Sequence, residues 1–390
     1  MILIRNGEVF GPAALGRCDV LAGGRKILAI AKRIDPGTLP GEVDVVDAAG
    51  LAVVPGFVDG HQHFTGGGGE GWFHTRTPEM RLSMNTANGV TTAVGVLGTD
   101  ALTRSVESLY AKTQSFNAEG ITAFMLTCSY WHPSPTITCT VARDLVYVQP
   151  VIGCKLALAD IRGPHVEAAD LARLASDIRV AALVADKPGI VTVHTVVKPE
   201  GLGLILEVVG RYGIRADMFV PTHINRKAPE LTAQVLELAR LGAVVDATCM
   251  LNPPAPDAPH LTAADFALLA DANGLFDRVA FSSDAGGSLP VWNEDRSRIV
   301  GMGIGTPASL LAELGRLVNA KGVALEKALR PLTATPARVY GLSGRKGEIA
   351  PGADADIVVL DPERMAVRDV VAGGAVVVRN GVIEKKGYFE

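Results

Sequence analysis

Four histidines, one lysine and one aspartate stand where short apolar runs of the chain end, and their types suit the holding of metal ions. His61-Gln62-His63 follows directly on a run rich in apolar residues. In an extended segment residues two apart point the same way, so both imidazoles can reach one ion. His194 closes Val191-Thr192-Val193-His194, His223 closes Pro221-Thr222-His223, and Asp284 follows Phe281-Ser282-Ser283. Lys155 lies within the otherwise apolar Val151-Ile152-Gly153-Cys154-Lys155-Leu156, where a charge is costly unless it is paired or metal-bound. Each has a plain explanation when taken alone: a hydrogen-bonded core histidine, a lysine reaching the surface, an aspartate capping a turn. Together the plain explanations weaken, because the chain has 8 histidines and four of them close such runs.

The residue types set the chemistry. Imidazoles with one carboxylate suit Zn²⁺, which takes nitrogen and oxygen ligands and keeps open positions in catalytic sites. Lysine is not an ordinary zinc ligand, but a neutral Lys155 amine can capture CO2 as a carbamate, a carboxylate-like bridge between two metals. Desolvation lowers a buried lysine's pKa and favours that reaction. A metal-bridging hydroxide would then be the nucleophile, with a metal polarising the carbonyl under attack. Asp284 is placed to take the hydroxide's proton and pass it to a leaving amine.

Such groups need a scaffold that brings distant segments to one place. Eight short apolar runs read as strands: Leu51–Val58, Gly89–Leu97, Ile121–Thr127, Val151–Ala159, Ile190–His194, Met218–Thr222, Ala243–Thr248 and Arg278–Ser282. Most are continuously apolar, as expected of parallel strands covered on both faces. Between them Ser105–Ala118, Ala168–Ala181, Leu202–Tyr212, Pro229–Leu241 and Ala263–Asn273 carry helical spacing, and Pro307–Asn319 and Leu325–Tyr340 follow the eighth strand. The alternation predicts an α/β fold, a (β/α)8 TIM barrel, over an open doubly wound sheet, and the strand ends of a barrel are where its active site sits. Both termini are β-rich, with runs at Ile2–Ile4, Val20–Ala22, Lys26–Ala31, Val43–Val46, Ile357–Leu360, Ala375–Arg379 and Gly381–Ile383. The expected division is a small β-sandwich domain from residues 1–54 and 346–390, and a barrel from 55–345.

Composition narrows the partners. The net charge is −4 and aromatics are 5%, so a nucleic-acid groove lacks both its electrostatic footprint and its stacking platforms. No apolar run is long enough for a membrane span. Met1–Gly7 lacks the charged and apolar regions of a secretory signal. The five cysteines, Cys18, Cys128, Cys139, Cys154 and Cys249, are odd in number and scattered, which argues against a disulfide framework and for buried reduced thiols. A cytoplasmic location is expected.

At these residues the sequence resembles the amidohydrolase superfamily over nearly its full length. Pro55-Gly56-Phe57-Val58-Asp59-Gly60-His61-Gln62-His63 and Gly347-Glu348-Ile349-Ala350-Pro351-Gly352-Ala353-Asp354-Ala355-Asp356 look like that family's entry and exit signatures. The resemblance implies a binuclear zinc hydrolase, with His61 and His63 on one metal, His194 and His223 on the other, carbamylated Lys155 bridging, and Asp284 as ligand and base. Within the superfamily the likeness is to the isoaspartyl (β-aspartyl) dipeptidases. It is carried by Gly66-Gly67-Gly68-Gly69-Glu70, Leu97-Gly98-Thr99-Asp100, Ser129-Tyr130-Trp131-His132-Pro133-Ser134, Thr222-His223-Ile224-Asn225-Arg226 and Ser282-Ser283-Asp284-Ala285-Gly286-Gly287-Ser288-Leu289-Pro290. The family's pattern gives Glu70 to the α-ammonium of a dipeptide substrate and Thr99, Arg162, Arg226 and Ser288 to its carboxylates. Tyr130 would lie over the scissile carbonyl, where its hydroxyl can donate to the developing oxyanion. Members tend to be homo-oligomers, often octamers.

Two segments depart from that pattern. Thr195-Val196-Val197-Lys198 stands where a turn with glycine and aspartate is usual, and Ile161-Arg162-Gly163-Pro164 lacks a histidine that often precedes the arginine. Both touch substrate-facing loops and leave other substrates open: a cyclic amide, as for hydantoinases and dihydroorotases, or an N-acyl amino acid. A catalytically silent scaffold is a third reading, but such homologues typically lose metal ligands, and all six are present here.

Overall fold

A computed structural model describes residues 1–163, 165–196, 198–255, 258–293 and 298–390. In it eight parallel strands follow one another in chain order. They are β1 (Phe57–Gln62), β2 (Val90–Gly95), β3 (Thr122–Cys128), β4 (Val151–Ala157), β5 (Ile190–His194), β6 (Phe219–Thr222), β7 (Val245–Thr248) and β8 (Val279–Ser282). The first and last meet through a bridge between Gln62 and Ala285, and the His63 N–H donates to the Ala285 carbonyl at 2.7 Å. The expected (β/α)8 barrel is therefore the fold.

The apolar runs have two destinations. Residues facing outward, among them Cys154, Leu156, Val191, Val193, Phe219 and Phe281, join the large core under the surrounding helices. The lower interior is filled by Val58, Val94, Leu126, Ile152, Ile190 and Val220, closed from below by Tyr340 and Leu342. Paired residues of parallel strands share a face. Lys155 pairs with Thr192, and His194 pairs with Thr222, so they enter the interior together above that apolar floor.

The β-rich ends combine in one nine-stranded sheet. Ala52–Pro55 runs parallel to Ile2–Phe10 and antiparallel to Ile357–Asp361, joining the two termini. Ile4, Val9, Val20, Val53, Ile357 and Val359 belong to a separate apolar cluster that gives this sheet its own core.

Several expectations are corrected. Leu51–Val58 is two strands, not one: Ala52–Pro55 stays in the terminal sheet and β1 starts at Phe57. The switch is at Gly56, whose N–H donates to Asp356 and where a Cβ would stand 2.1 Å from the Thr91 hydroxyl. His61 consequently lies within a strand. Leu325–Tyr340 is broken into Leu325–Ala328, Arg330–Leu332 and Ala334–Val339, because Pro331 and Pro336 cannot donate to a continuous helix. The helix at 307–319 passes into a π-turn over Arg316–Ala320. The strand Ala366–Ala372, the hairpin of Ser288–Trp292 with Ile299–Ile304, and the helices Leu82–Thr86 and Val141–Tyr147 escaped the periodicity reading. Cys139 is exposed, while the other four thiols are buried as expected. No described helix is long and apolar enough to cross a membrane.

Gly60 shows how tightly the floor supports β1. A Cβ there would lie 2.0 Å from the Tyr340 hydroxyl and 2.6 Å from two ring carbons. Gly60→Ala should destabilise the fold by about 1–3 kcal/mol in denaturant unfolding, as overpacked interiors do. Adding Tyr340→Phe should recover little, since the ring carbons remain in the way.

Candidate metal centre

His61, His63 and Asp284 offer one ligand atom each, and these atoms all lie within 4.8 Å of one another. Asp284 Oδ1 is 3.1 Å from His63 Nε2 and 3.5 Å from His61 Nε2. Neither Asp284 Oδ1 nor His63 Nδ1, both buried, has a hydrogen-bond partner in the structure. His63 is thus close to the carboxylate without being hydrogen-bonded to it. Buried polar atoms without partners are costly, and a cation among them is what this donor set fits.

The rest of the predicted set closes in on the same place. Lys155 Nζ is 3.2 Å from His61 Nε2. The His223 ring lies 5.2 Å from His61 and 4.8 Å from His194, centroid to centroid. His223 and Asp284 have φ of 63° and 51°, the left-handed region that non-glycine residues seldom adopt. Both sit just past a strand end, and that strained backbone accompanies side chains turned back toward the centre. Glycines keep the space open: a Cβ on Gly287 would meet Asp284 Oδ1 at 2.8 Å, and one on Gly98 would meet the His63 ring at 2.9 Å.

Hydrogen bonds around the centre fix which nitrogen faces it. Thr222 donates its hydroxyl to Asp246 at 2.6 Å, so toward His61 Nδ1, 3.3 Å away, it can only accept. The His61 proton then sits on Nδ1 and the Nε2 lone pair faces Lys155 and Asp284. His223 Nδ1 meets the Thr248 hydroxyl at 2.6 Å, which leaves Nε2 toward the centre. His194 Nε2 lies 3.0 Å from Asp160, and its Nδ1 takes the Tyr130 hydroxyl at 2.6 Å. Supporting partners of this kind orient metal-binding imidazoles.

Burial governs the protonation of these groups. It pushes His61 and His223 well below the usual histidine range and His194 down to about 4, with Lys155 adding to the effect on each. These three imidazoles are therefore neutral near neutral pH, as metal ligands must be. Burial also lowers Lys155 to about 7, with Asp284 and Asp246 resisting. It raises Asp246 to about 7 and Asp59 to about 6. Burial raises the Tyr130 phenol far above its ordinary value, so it stays a donor.

A second cluster borders the first. Glu70 accepts from Thr99 at 2.9 Å and from Ser288 at 3.4 Å, and Arg162 Nη1 lies 3.4 Å from it. The Arg162 guanidinium stands over the Tyr130 ring at 5.5 Å. Arg226 follows His223 and donates from Nε to that residue's carbonyl at 3.3 Å. A cavity lined by Gly68, Glu70, Phe73, Arg76, Thr99 and Asp100 opens beside Glu70. Of the departing segments, Pro164 and Val197 lie outside the described residues.

Reading by residue type missed the supports: Asp59, Asp160, Thr222, Asp246 and Thr248. Asp59 and Asp246 carried a usable signal, because a carboxylate inside a doubly covered strand is as costly as the Lys155 amine. Asp59 accepts from Gln62 and from the Ser283 hydroxyl and N–H, tying β1 to the turn that bears Asp284.

Sequence and structure comparisons bear on the family and the fold. The amidohydrolase family profile matches residues 137–383, and a second amidohydrolase family profile matches 44–100. A solved β-aspartyl dipeptidase from Fervidobacterium islandicum AW-1, in complex with the β-Asp-Leu dipeptide, is 35% identical, with a TM-score of 0.90 and 98% of both chains covered. Dihydropyrimidinase from Brevibacillus agri NCHU1002 covers 99% of this chain and 96% of its own, at 19% identity and a TM-score of 0.73, a likeness of fold. A dihydroorotase of Streptococcus pyogenes serotype M3 (strain ATCC BAA-595 / MGAS315) is 34% identical over 143 residues, 32% of this chain and 32% of the dihydroorotase. The match thus spans about a third of the length of that curated relative.

If His61, His63 and Asp284 hold a divalent cation, zinc added to chelator-treated protein should stabilise it in thermal unfolding. The gain is about 2.7 kcal/mol when free zinc is about 100 times Kd. Asp284→Ala should remove most of the shift.

Proposed function

The chain belongs to the amidohydrolase family, and from that premise we propose that it hydrolyses the isopeptide bond of β-aspartyl dipeptides at a binuclear metal centre. The observation that carries the reading is the pairing of Glu70 with Arg162 at 3.4 Å beside the histidine cluster. A carboxylate and a guanidinium side by side suit a zwitterion, which offers an ammonium to one and a carboxylate to the other. The 35% identity to a solved β-aspartyl dipeptidase over 98% of both chains supports it.

When bound, two divalent cations held by His61, His63, His194, His223, Asp284 and a carbamate on Lys155 would supply the nucleophile and polarise the scissile carbonyl. The protein's own groups do the rest. Asp284 takes up a proton at Oδ1 and returns it to the leaving amine. Tyr130 keeps its phenolic proton and, once it exchanges His194 for substrate, donates to the carbonyl oxygen as negative charge grows there. Glu70 receives the α-ammonium. Arg162 and Arg226 receive carboxylates, with Thr99 and Ser288 completing the contacts.

A second reading keeps the centre and changes the substrate to a cyclic amide, and the partial match to a dihydroorotase favours it. Glu70 separates the two, because a ring amide carries no free ammonium. Purified, zinc-loaded protein should cleave isoaspartyl-leucine and leave α-aspartyl-leucine and cyclic amides nearly untouched. Glu70→Gln should lower kcat/KM on isoaspartyl-leucine by about 10²-fold, the scale of a lost charge-assisted contact. Turnover of dihydroorotate or a hydantoin in place of the dipeptide, with Glu70→Gln near wild type, would replace this assignment with the second reading.

Carbamate formation has its own signature. Lys155 Nζ forms a bond to the carbon of CO2 and gives up a proton to solvent, a step open only to the neutral amine. Its pKa is depressed from 10.5 to about 7, so the neutral fraction rises as pH increases through about 7. Zinc uptake by chelator-treated protein at a fixed concentration of dissolved CO2, with bicarbonate adjusted at each pH, should accelerate over that interval and level off above about pH 8. In Lys155→Met the bicarbonate dependence should vanish.

A further inference from the structure

Asp160 stands between the two clusters and touches both. It is buried, and its Oδ2 lies 3.0 Å from His194 Nε2 and 2.7 Å from Arg162 Nη2. Its Oδ1 accepts from Arg162 Nε at 3.0 Å and from the Arg162 N–H at 2.8 Å. No residue of the resemblance assigns it a role, and the histidine often found between it and the arginine is replaced here by Ile161, which is exposed.

We infer that Asp160 is a positioning residue that sets the His194 tautomer and the Arg162 orientation together, so that metal affinity and substrate binding share one carboxylate. Its two consequences follow from hydrogen-bond inventory. An ionised carboxylate only accepts. The neutral His194 ring must therefore carry its proton on Nε2, which leaves the Nδ1 lone pair toward Tyr130 and the centre. Asp160 also holds the Nε–Nη2 side of the guanidinium in a fork, so Arg162 has only the Nη1–Nη2 edge left, the edge turned toward Glu70. A substrate carboxylate that displaces Glu70 would meet that edge.

Asparagine at this position separates positioning from mere packing, because it is nearly the same shape. Arg162 donates to both oxygens, so the amide oxygen keeps the Oδ1 place, where it holds Arg162 Nε and N–H, and the amide NH2 takes the Oδ2 place, where the contact with Nη2 is lost. The amide NH2 then faces His194 Nε2 and is satisfied only if that nitrogen gives up its proton. The proton moves to Nδ1, on the side where a cation would bind. This inference rests on the metal-dependent dipeptidase reading, and the measurements keep the two apart.

The experiment is zinc titration of chelator-treated wild type, Asp160→Asn and Arg162→Ala, followed by steady-state kinetics of each zinc-loaded protein on isoaspartyl-leucine. Asp160→Asn is expected to weaken zinc binding about 10–100-fold, the usual cost of losing a partner behind a metal-binding histidine, and also to raise KM about tenfold. Arg162→Ala should raise KM by a similar factor with zinc affinity within about twofold of wild type. Circular dichroism melts check folding. If Asp160→Asn does not fold, Asp160→Glu, which keeps the charge one methylene further out, reads the same quantities and should fall between. Wild-type zinc affinity in a folded Asp160 variant overturns the inference, as does an unchanged KM with isoaspartyl-leucine as substrate. A wild type that binds no zinc overturns both this inference and the metal reading. A wild type that binds zinc but ignores isoaspartyl-leucine removes only the substrate assignment, and the zinc titration still decides on Asp160.

Discussion

Several lone pairs face one another at the mouth of the barrel, with too few protons to satisfy them. Three of the imidazoles, those of His61, His194 and His223, are held neutral by burial, and Asp284 Oδ1 approaches His61 and His63 without a hydrogen bond. Such a cluster is unfavourable by itself, and the chain tolerates it because everything beneath is an ordinary, well-filled interior. The apolar floor of Val58, Val94, Leu126, Ile152, Ile190 and Val220 supports a polar layer that could not stabilise itself.

The same strands that supply the floor also aim the polar layer. Parallel pairing places Cα partners on a common face, so Lys155 and Thr192 point inward as a consequence of register, with no special local device. His223 and Asp284 are different. Each lies one or two residues past its strand, where register no longer acts, and each is held in a left-handed backbone conformation instead. Function here is divided between residues that inherit their direction from the sheet and residues whose direction is held at a local conformational cost.

That division explains what the sequence discloses. Lys155, His194 and the β1 histidines stand out because a polar side chain in or beside an apolar run has few other uses. The barrel followed from continuously apolar runs alternating with helical spacing. The switch at Gly56 was hidden because Leu51–Val58 is apolar on both sides of it, and hydrophobicity does not say which sheet a strand joins. Pro331 and Pro336 did announce the break in the last helical segment, but amphipathic spacing continues through them. Thr222 and Thr248 were invisible for another reason: their importance lies in whom they bond, and the partner of Thr222 is as distant in sequence as His61. Spacing shows which residues can reach an ion. It does not show which nitrogen each will present.

On the proposed dipeptidase reading, selectivity would come from the second cluster, because the centre itself would serve any amide. Glu70 and Arg162 face each other at 3.4 Å at the rim of the site, where the arginine side chain is 36% exposed. A neutral substrate entering between them would separate the pair and offer neither an opposite charge, leaving Glu70 to Thr99 and Ser288 and Arg162 to Asp160. A zwitterion replaces both contacts at once, its ammonium taking the place of the guanidinium and its carboxylate that of Glu70. Part of the discrimination would then come from the cost of separating an existing ion pair, a small term at an exposed site, and the larger part from the charges that the zwitterion itself brings. Arg162 can take part in such an exchange without collapsing into the site because its other edge stays fixed on Asp160.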